Sequence, residues 1–278
     1  MNNEERTDYT DHTDRTDRTD HTGFTENTDN TGRTVLALDA VSFRYARGRR
    51  MILKDISAEF VSGRLYTLEG ESGAGKSTML NLLAGLSVPT SGRVLLNGED
   101  IRSLGRSSGK KNAGEDSGAN GRGNAPRSVN GLTLYRRNVA ATVPQANLLF
   151  DGRTVLENVL YPMLLKGTDR AEAEERARGY LADVKLPEEL YDRFPGECSG
   201  GEQKRAAFAR AMALDNPVVL ADEPTANLDK GTSAIVSEIL RLLAAERGKL
   251  VLAVTHEEAI PAVADERLFL RAGVIEKD

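Results

Sequence analysis

Residues 64–86 read RLYTLEGESGAGKSTMLNLLAGL, and this stretch indicates the fold class because it joins a predicted strand, a turn and a predicted helix. The apolar residues of 64–69 predict the strand, and the apolar spacing in 77–86 predicts the helix. Between them, residues 70–77 match the pattern G-x-x-x-x-G-K-S. In this pattern backbone N–H groups and a helix N-terminus converge on phosphate oxygens. The stretch therefore predicts a phosphate-binding loop, called the phosphate loop below.

The phosphate loop carries two side chains with predicted chemistry. Lys76 is placed to reach β- and γ-phosphate oxygens, and the hydroxyl of Ser77 is a suitable ligand for Mg²⁺. We expect the nucleotide phosphates to be held by the loop and the first turn of its helix, namely Gly70, Glu71, Ser72, Gly73, Ala74, Gly75, Lys76, Ser77 and Thr78.

A second predicted strand, in residues 218–221, ends in the carboxylates Asp222 and Glu223, followed by a proline. Ligands of α/β sheets bind at the carboxyl ends of strands. Because neighbouring residues on a strand point to opposite faces, we expect different roles: Asp222 holds Mg²⁺ through water, and Glu223 polarises the attacking water. A solvated turn is the alternative interpretation of this tripeptide, and the phosphate loop favours the catalytic one.

A third motif, CSGGEQKR at residues 198–205, opens an apolar helix with a serine and two glycines. A helix N-terminus of this kind suits an anion. From physical chemistry alone, a simple N-cap is the better interpretation. The chain thus contains two loops that could bind phosphate. Only the phosphate loop carries a lysine, Lys76, directly after its last glycine.

Two segments of low complexity flank or interrupt the predicted domain at 35–278. Residues 1–34 contain a Thr-Asp-x repeat, and their nine acidic and four basic residues account for the whole net charge of −5. We expect this tail to be disordered, because it offers too few apolar side chains to order itself. Residues 102–131, rich in Gly, Ser and Asn, are expected to form a flexible insertion.

Composition excludes several classes of protein. Cys198 is the single cysteine, so no intramolecular disulfide can form, and a reducing compartment is expected. No apolar run approaches the roughly 20 residues that span a bilayer, and the polar N-terminus does not fit a signal peptide. Outside the tail the charges balance, so nothing favours a nucleic-acid partner, and we predict none.

From about Leu36 to the C-terminus, the sequence resembles the ATP-binding cassette (ABC) family. Residues 198–203 are similar to its signature motif, with Cys198 where leucine is usual and Glu202 where glutamine is frequent. Four further residues match family landmarks. Tyr45 matches the aromatic residue that stacks on adenine, and Gln145 matches the glutamine of the glutamine loop. Asp229 matches the aspartate of the loop joining two nucleotide sites, and His256 matches the switch histidine.

The resemblance implies a fold and a set of roles. The fold is an α/β P-loop NTPase core with a mostly parallel sheet, an N-terminal antiparallel β subdomain and a helical subdomain at 147–215. The implied ligands are ATP and Mg²⁺, with the metal held by Ser77, Gln145 and Asp222. The implied catalytic residues are Lys76, Gln145, Glu223 and His256. The nucleotide of a partner subunit would be contacted by Ser199, Gly200, Gly201, Glu202 and Asp229.

The resemblance also implies partners. One is a second ATPase subunit, in a homodimer, and the other is an integral-membrane permease that would hold the chain on the inner, cytoplasmic face of the cell membrane. Residues 220–229 are similar to the lipoprotein-release, macrolide- and peptide-export and cell-division ATPases, which favours an export or mechanotransmission role. A groove beside Gln145, lined by residues 148–150, is the expected permease seat, although these residues could equally pack in the core. The alternatives are an ATPase acting on ribosomes or DNA and a non-catalytic scaffold.

Overall fold

The structure is a computed structural model, and it describes residues 32–46, 48, 50–105, 130–146 and 149–277. Most of the predicted disordered tail and residues 106–129 of the predicted insertion lie outside this range. The edges of the insertion differ from the prediction. Leu104 is 2% exposed and belongs to the core, and Gly131 is the first residue of a helix. The segment without described structure is therefore shorter than 102–131.

Strands and helices are interspersed along the chain from β3 onward. In chain order they are β1 (Val35–Phe43), β2 (Leu53–Val61), β3 (Leu65–Glu69), α1 (Lys76–Leu83), β4 (Ser91–Leu96), β5 (Glu99–Asp100), α2 (Gly131–Asn138), β6 (Ala140–Val143), α3 (Val155–Leu165), α4 (Arg170–Asp183), α5 (Gly200–Ala213), β7 (Val218–Asp222), α6 (Lys230–Ala245), β8 (Leu250–Val254), β9 (Glu266–Arg271) and β10 (Val274–Lys277). Short 3₁₀ turns lie at Glu188–Leu190, Pro195–Glu197 and Pro261–Val263.

The strands form two sheets. The first is antiparallel, in the order β2-β1-β4-β5, and the second has the order β10-β9-β3-β8-β7-β6. In the second sheet only β10 runs antiparallel to its neighbour. All residues of β8 and the first four of β7 are buried, as expected for strands covered on both faces. The predicted α/β fold with its antiparallel β subdomain is confirmed.

The order of the parallel strands creates the site. Strands β3, β8, β7 and β6 are neighbours, so their carboxyl ends lie side by side at one edge of the sheet. The phosphate loop follows β3, Gln145 follows β6, Glu223 follows β7 and His256 follows β8. Four segments that are far apart in sequence therefore meet, as ligand sites in parallel sheets generally do.

Two apolar cores lie on opposite faces of the parallel sheet. One joins the sheet to α3, α4, α5 and α6, with Phe208 fully buried in α5. The other joins it to α1 and the antiparallel sheet, through residues such as Phe60 and Met79. Three helices, α3, α4 and α5, lie within the range 147–215 that the resemblance implied to be helical. Within the described part of the chain, no helix is long and apolar enough to cross a membrane.

Sequence reasoning missed α2, β6, β9 and β10. Strand β6 has only four residues, AATV, which is too short for a periodic signal. It is held in the sheet by its parallel register with β7, where Ala141 lies opposite Val219. Helix α2 follows a stretch of low complexity, and its position depends on Tyr135, whose buried hydroxyl donates to the carbonyl of Leu83 at 2.7 Å.

Candidate nucleotide site

The turn of the phosphate loop requires glycine at both ends. Gly70 has φ of +146°, and a Cβ there would lie 2.4 Å from the carbonyl oxygen of Leu270. Gly75 has φ of +109°, and its Cβ would lie 2.9 Å from Cγ2 of Ile52. Any other residue would strain the backbone and collide with a neighbour, so these glycines let the chain turn tightly from β3 into α1.

Lys76 lies across the phosphate loop. Its side chain is largely buried, and Nζ donates to the carbonyls of Gly70 and Glu71 at 2.7 and 3.0 Å. Gly75 is the N-cap of α1 and contributes no side-chain hydrogen bond to the cap. The first N–H groups of α1 and an ammonium group therefore meet at one point, which is an arrangement suited to phosphate.

Ser77 and Asp222 connect the phosphate loop to β7. The hydroxyl of Ser77 donates to Oδ1 of Asp222 at 3.2 Å. Burial raises the pKa of Asp222 above its ordinary value, and the hydrogen bond from Ser77 opposes that shift. The pair places a hydroxyl and a carboxylate oxygen together beside the phosphate loop.

Glu223 lies between two polar partners, one on each neighbouring strand end. Gln145 Nε2 donates to its Oε2 at 3.2 Å, and His256 Nδ1 lies 3.3 Å from its Oε1. The sequence predicted different roles for Asp222 and Glu223 because neighbouring residues on a strand point to opposite faces. That reason was wrong. Glu223 follows the strand and has φ of +42°, so a left-handed backbone sets its direction. The two carboxylates have different partners, and their different roles stay a prediction.

Tyr45 lies beside the phosphate loop rather than in β1, which ends at Phe43. Its hydroxyl is 3.0 Å from Oγ1 of Thr78, and its ring packs edge-to-face on Phe43. The side chain is nonetheless 55% exposed. An exposed ring held next to the phosphate loop can stack on a base, and the adenine contact that the resemblance implies for Tyr45 stays a prediction.

The signature loop, residues 198–203, is capped by its own side chains. Ser199 is the N-cap of α5: its Oγ accepts from the N–H of Glu202 at 3.3 Å, and the Glu202 carboxylate accepts from the N–H of Ser199 at 2.7 Å. The N-cap that physical chemistry alone favoured is therefore present, and it takes the form of a capping box. Gly200 begins the helix. Burial raises the pKa of the Cys198 thiol, which lies against the carbonyl of Phe194.

The signature loop also meets the start of α6. A Cβ on Gly201 would lie 2.9 Å from Cγ2 of Thr232. Asp229 caps α6, accepting from the N–H groups of Gly231 and Thr232 at 2.9 and 3.1 Å. The hydroxyl of Thr232 also donates to Asp229, which holds the pKa of that carboxyl below its ordinary value.

The predicted site residues therefore form two groups. The first joins Tyr45, the phosphate loop, Asp222, Glu223, Gln145 and His256, and the second joins the signature loop to Asp229. One residue that sequence reasoning missed, Lys204, connects them: its Nζ donates to the carbonyls of Pro144 and Gln145 at 3.1 and 2.7 Å. The sequence does contain a signal for Lys204. It lies one helical turn before the apolar Phe208, and therefore on the face of α5 that is expected to be buried.

The donor set fits Mg²⁺ as the metal that the resemblance implies. The hydroxyl of Ser77 and the carboxylate of Asp222 are adjacent oxygen ligands. Within the described residues, no group of three or more His, Cys, Asp or Glu could hold a metal by itself. Mg²⁺ is typically bound by one or two protein oxygens together with phosphate and water, so this sparse set is appropriate for it.

Comparison with known proteins agrees with this geometry. Residues 53–226, more than half of the chain, match the family model described as ABC transporter. The lipoprotein-releasing system ATP-binding protein LolD of Geobacter metallireducens is 36% identical over 227 residues, covering 82% of this chain and 90% of that protein. The ABC transporter ATP-binding protein YtrE of Bacillus subtilis is 33% identical, covering 81% and 87%.

Solved structures show the same fold. A dimeric structure of MJ0796, a bacterial ABC transporter cassette, superposes with a TM-score of 0.71 at 31% identity, covering 87% of this chain and 98% of that one. A second structure of MJ0796, dimeric and in a post-hydrolysis state with ADP and Pi, gives a TM-score of 0.70 at the same identity. The chain therefore belongs to the ABC transporter family and is an ATP-binding cassette ATPase.

Proposed function

We propose that this cassette works as a homodimer that binds two ATP molecules head to tail and powers a separate integral-membrane permease. The observation that carries the ATPase half of the proposal is the position of Glu223. Its carboxylate lies between Gln145 and His256, at the same sheet edge as Asp222 and the phosphate loop. A carboxylate held by two partners beside a phosphate site is placed to orient a water molecule.

In the proposed binding step, adenine stacks on Tyr45 and the phosphates occupy the loop at 70–78. The Nζ of Lys76 then exchanges its hydrogen bonds to the loop carbonyls for bonds to phosphate oxygens. The ammonium group of Lys76 keeps its hydrogen bonds in this exchange. Charged phosphate oxygens replace neutral carbonyl oxygens as its acceptors, and charged acceptors make stronger hydrogen bonds. Lys76 is thus already in position before the nucleotide arrives.

In the proposed hydrolytic step, Glu223 accepts a proton from the attacking water or orients it. Gln145 and His256 hold the carboxylate, and His256 also contacts the γ-phosphate. Ser77, Gln145 and, through water, Asp222 would hold Mg²⁺, which when bound supplies positive charge to the phosphate oxygens. Most of the rate enhancement would come from position and charge, as is general for phosphoryl transfer.

The proposed dimer completes each site with the signature loop of the partner. Ser199 and Gly201 would contact the γ-phosphate held by the other subunit, with Gly200, Glu202 and Asp229 beside them. A chain with one phosphate loop and one signature loop satisfies this arrangement twice about a single two-fold axis. The dimeric cassette structures to which the chain is similar support it.

The test is Glu223→Gln. We expect the variant to bind ATP, to hydrolyse it at least about 100-fold more slowly and to remain as an ATP-bound dimer on size-exclusion chromatography. Glu246→Gln is a matched control, because Glu246 is exposed at the end of α6, away from the sheet edge. Near-normal hydrolysis by Glu223→Gln would contradict the role of Glu223, and an ATP-bound monomer would contradict the dimer.

The permease half of the proposal is supported by a groove of about 760 Å³ between α2, α3 and α5. Its exposed apolar side chains are Leu86, Phe150 and Leu165, which are 57%, 48% and 62% exposed. Of the residues 148–150 expected to line a seat, Phe150 lines this groove, Leu149 is buried in the core, and Leu148 lies outside the described residues. Exposed apolar side chains around a concave surface are typical of a protein interaction site.

The charges of the groove define the chemistry of its proposed occupant. Arg136 and Arg137 line its α2 side and give that side a positive charge. Burial lowers the pKa of Arg210, which lies over the ring of Phe150. We assign to the groove an amphipathic helix with an apolar face and acidic side chains, from a cytoplasmic loop of the permease.

The occupant is tested by purification of the tagged chain from solubilised membranes of its native host. We expect it to retain a protein with several apolar spans of about 20 residues, and Phe150→Asp to lose that protein while keeping ATP hydrolysis. Capture of ribosomal proteins instead would favour the alternative function. Retention of the membrane protein by Phe150→Asp would exclude this groove as its seat.

The proposed location of the chain is the inner face of the cell membrane, where the permease would hold it.

A further inference from the structure

Lys204 is a buried cation on the signature helix α5 for which the proposed mechanism has no role. The residue is 2% exposed and lies five positions after Ser199. Within the described part of the chain it forms no ion pair. Its Nζ instead donates to two main-chain carbonyls, those of Pro144 and Gln145, at 3.1 and 2.7 Å.

Burying this ammonium group is energetically unfavourable. A buried charge persists only where its hydrogen bonds are well made. The loss of either carbonyl would leave part of that charge unsatisfied, so α5 and the chain at 144–145 are held together as one unit.

This unit touches the catalytic carboxylate. Gln145 Nε2 donates to Glu223 at 3.2 Å, and Glu223 lies 3.3 Å from His256. A continuous series of contacts therefore runs from the signature helix, through Lys204 and Gln145, to Glu223 of the same subunit. In the proposed dimer the signature loop serves the ATP of the partner, so the two ends of this series belong to different ATP sites.

We infer that Lys204 is a positioning residue that sets the place of Gln145 and Glu223 according to the place of its own signature helix, and so couples the two ATP sites of the dimer. The inference rests on the proposed dimeric function. When the signature loop closes on the partner's γ-phosphate, α5 carries Lys204 and the carbonyl of Gln145 with it. The catalytic carboxylate of one subunit then responds to the nucleotide bound by the other.

The variant Lys204→Met removes the donors and keeps an unbranched side chain of similar length. Lys249→Met is the matched control, because Lys249 is a partly buried lysine whose Nζ pairs with Asp215 at 2.6 Å. We expect Lys204→Met to lower kcat about 10-fold, to leave the ATP affinity of the monomer within about 2-fold, and to bring the Hill coefficient for ATP towards about 1. Lys204→Gln retains a donor on a shorter side chain, so its kcat should lie between those of Lys204→Met and the unaltered protein.

Mixed dimers separate a positioning role from a structural one. Each contains one Glu223→Gln subunit, so only the other subunit hydrolyses ATP. Placing Lys204→Met in the hydrolysing subunit should slow that dimer about 10-fold against the dimer without it. Placing Lys204→Met in the Glu223→Gln subunit should leave the rate within about 2-fold of the reference dimer, because the hydrolysing subunit keeps its own series of contacts.

The outcomes are distinct. The reverse pattern would show that Lys204 supports only its own signature loop, and an equal loss in both arrangements would show general damage to α5; each would overturn the inference. An unchanged Hill coefficient and kcat in Lys204→Met would also overturn it. If Glu223→Gln forms no ATP-bound dimer, the proposed function itself fails, and this result is visible before any Lys204 variant is made.

Discussion

The phosphate loop and the signature loop both contain glycines and both lead into a helix, yet their helix N-termini differ. At the phosphate loop, Gly75 caps α1 without a side-chain bond, and Lys76 lies beside the first N–H groups. At the signature loop, Ser199 and Glu202 form a complete capping box. The first N-terminus is left to a ligand, and the second is already satisfied by its own side chains.

The difference indicates how each loop recognises phosphate. The phosphate loop offers several N–H groups and a cation, so one chain is expected to bind nucleotide by itself. The signature loop has no lysine of its own at that point, and a phosphate oxygen must compete with the capping box. In the proposed dimer it would contact a γ-phosphate that the other subunit already holds.

Removal of the phosphate-loop cation should have the largest effect. Lys76→Met is expected to reduce ATP hydrolysis at least about 100-fold, because the charge opposite the transferred phosphate is lost. Steady-state phosphate release measures the rate, and circular dichroism confirms the fold. Lys54→Met is the control, since Lys54 is an exposed lysine on β2. Hydrolysis within a few fold of the unaltered protein would remove the functional distinction between the two loops.

A methyl group on the signature loop should have an intermediate effect. In Gly201→Ala the new Cβ would lie 2.9 Å from Cγ2 of Thr232, so α5 and α6 must separate slightly. We expect hydrolysis to fall about 10-fold while ATP affinity of the monomer is unchanged.

The same contact provides the rescue. Thr232→Ser removes the colliding methyl group and keeps the hydroxyl that donates to Asp229 at 2.5 Å. Gly201→Ala with Thr232→Ser should therefore recover at least half of the lost rate, and Thr232→Ser alone should be near normal. If the double variant is as slow as Gly201→Ala, then the new methyl group at position 201 acts only on the partner's nucleotide. The contact between position 201 and Thr232 would then not explain the loss of rate.

Loss of the cap at the signature loop should have the smallest effect on the monomer. Ser199→Ala leaves the N–H of Glu202 without its acceptor, which should cost about 1 kcal/mol of unfolding free energy in urea titrations. Thr154→Ala is a matched control, because Thr154 and Glu157 form the same capping box on α3. Both variants should lose similar stability, and only Ser199→Ala should weaken ATP-dependent dimerisation. Equal dimerisation by both variants would contradict a special role for the signature loop.

Local signals in the sequence were reliable where one segment carried the whole motif. The phosphate loop, its flanking strand β3 and helix α1, and the buried strand β7 all follow from short-range pattern. Predictions failed where position depends on distant residues. Strand β6 is recognisable only beside β7, and the direction of Glu223 depends on its left-handed backbone and on its N–H donating to the carbonyl of Val254 at 2.9 Å.

The turn at 70–77, which needs glycine and lysine at fixed spacing, and the N-cap at Ser199 both follow from the amino-acid sequence. These features need only neighbouring residues. Tertiary structure alone decided that Gln145, Glu223 and His256 meet, because the order of β6, β7 and β8 in the sheet sets which loops are adjacent. It also decided the burial of Lys204 against the carbonyls at 144–145, a contact across about 60 residues that no local pattern encodes.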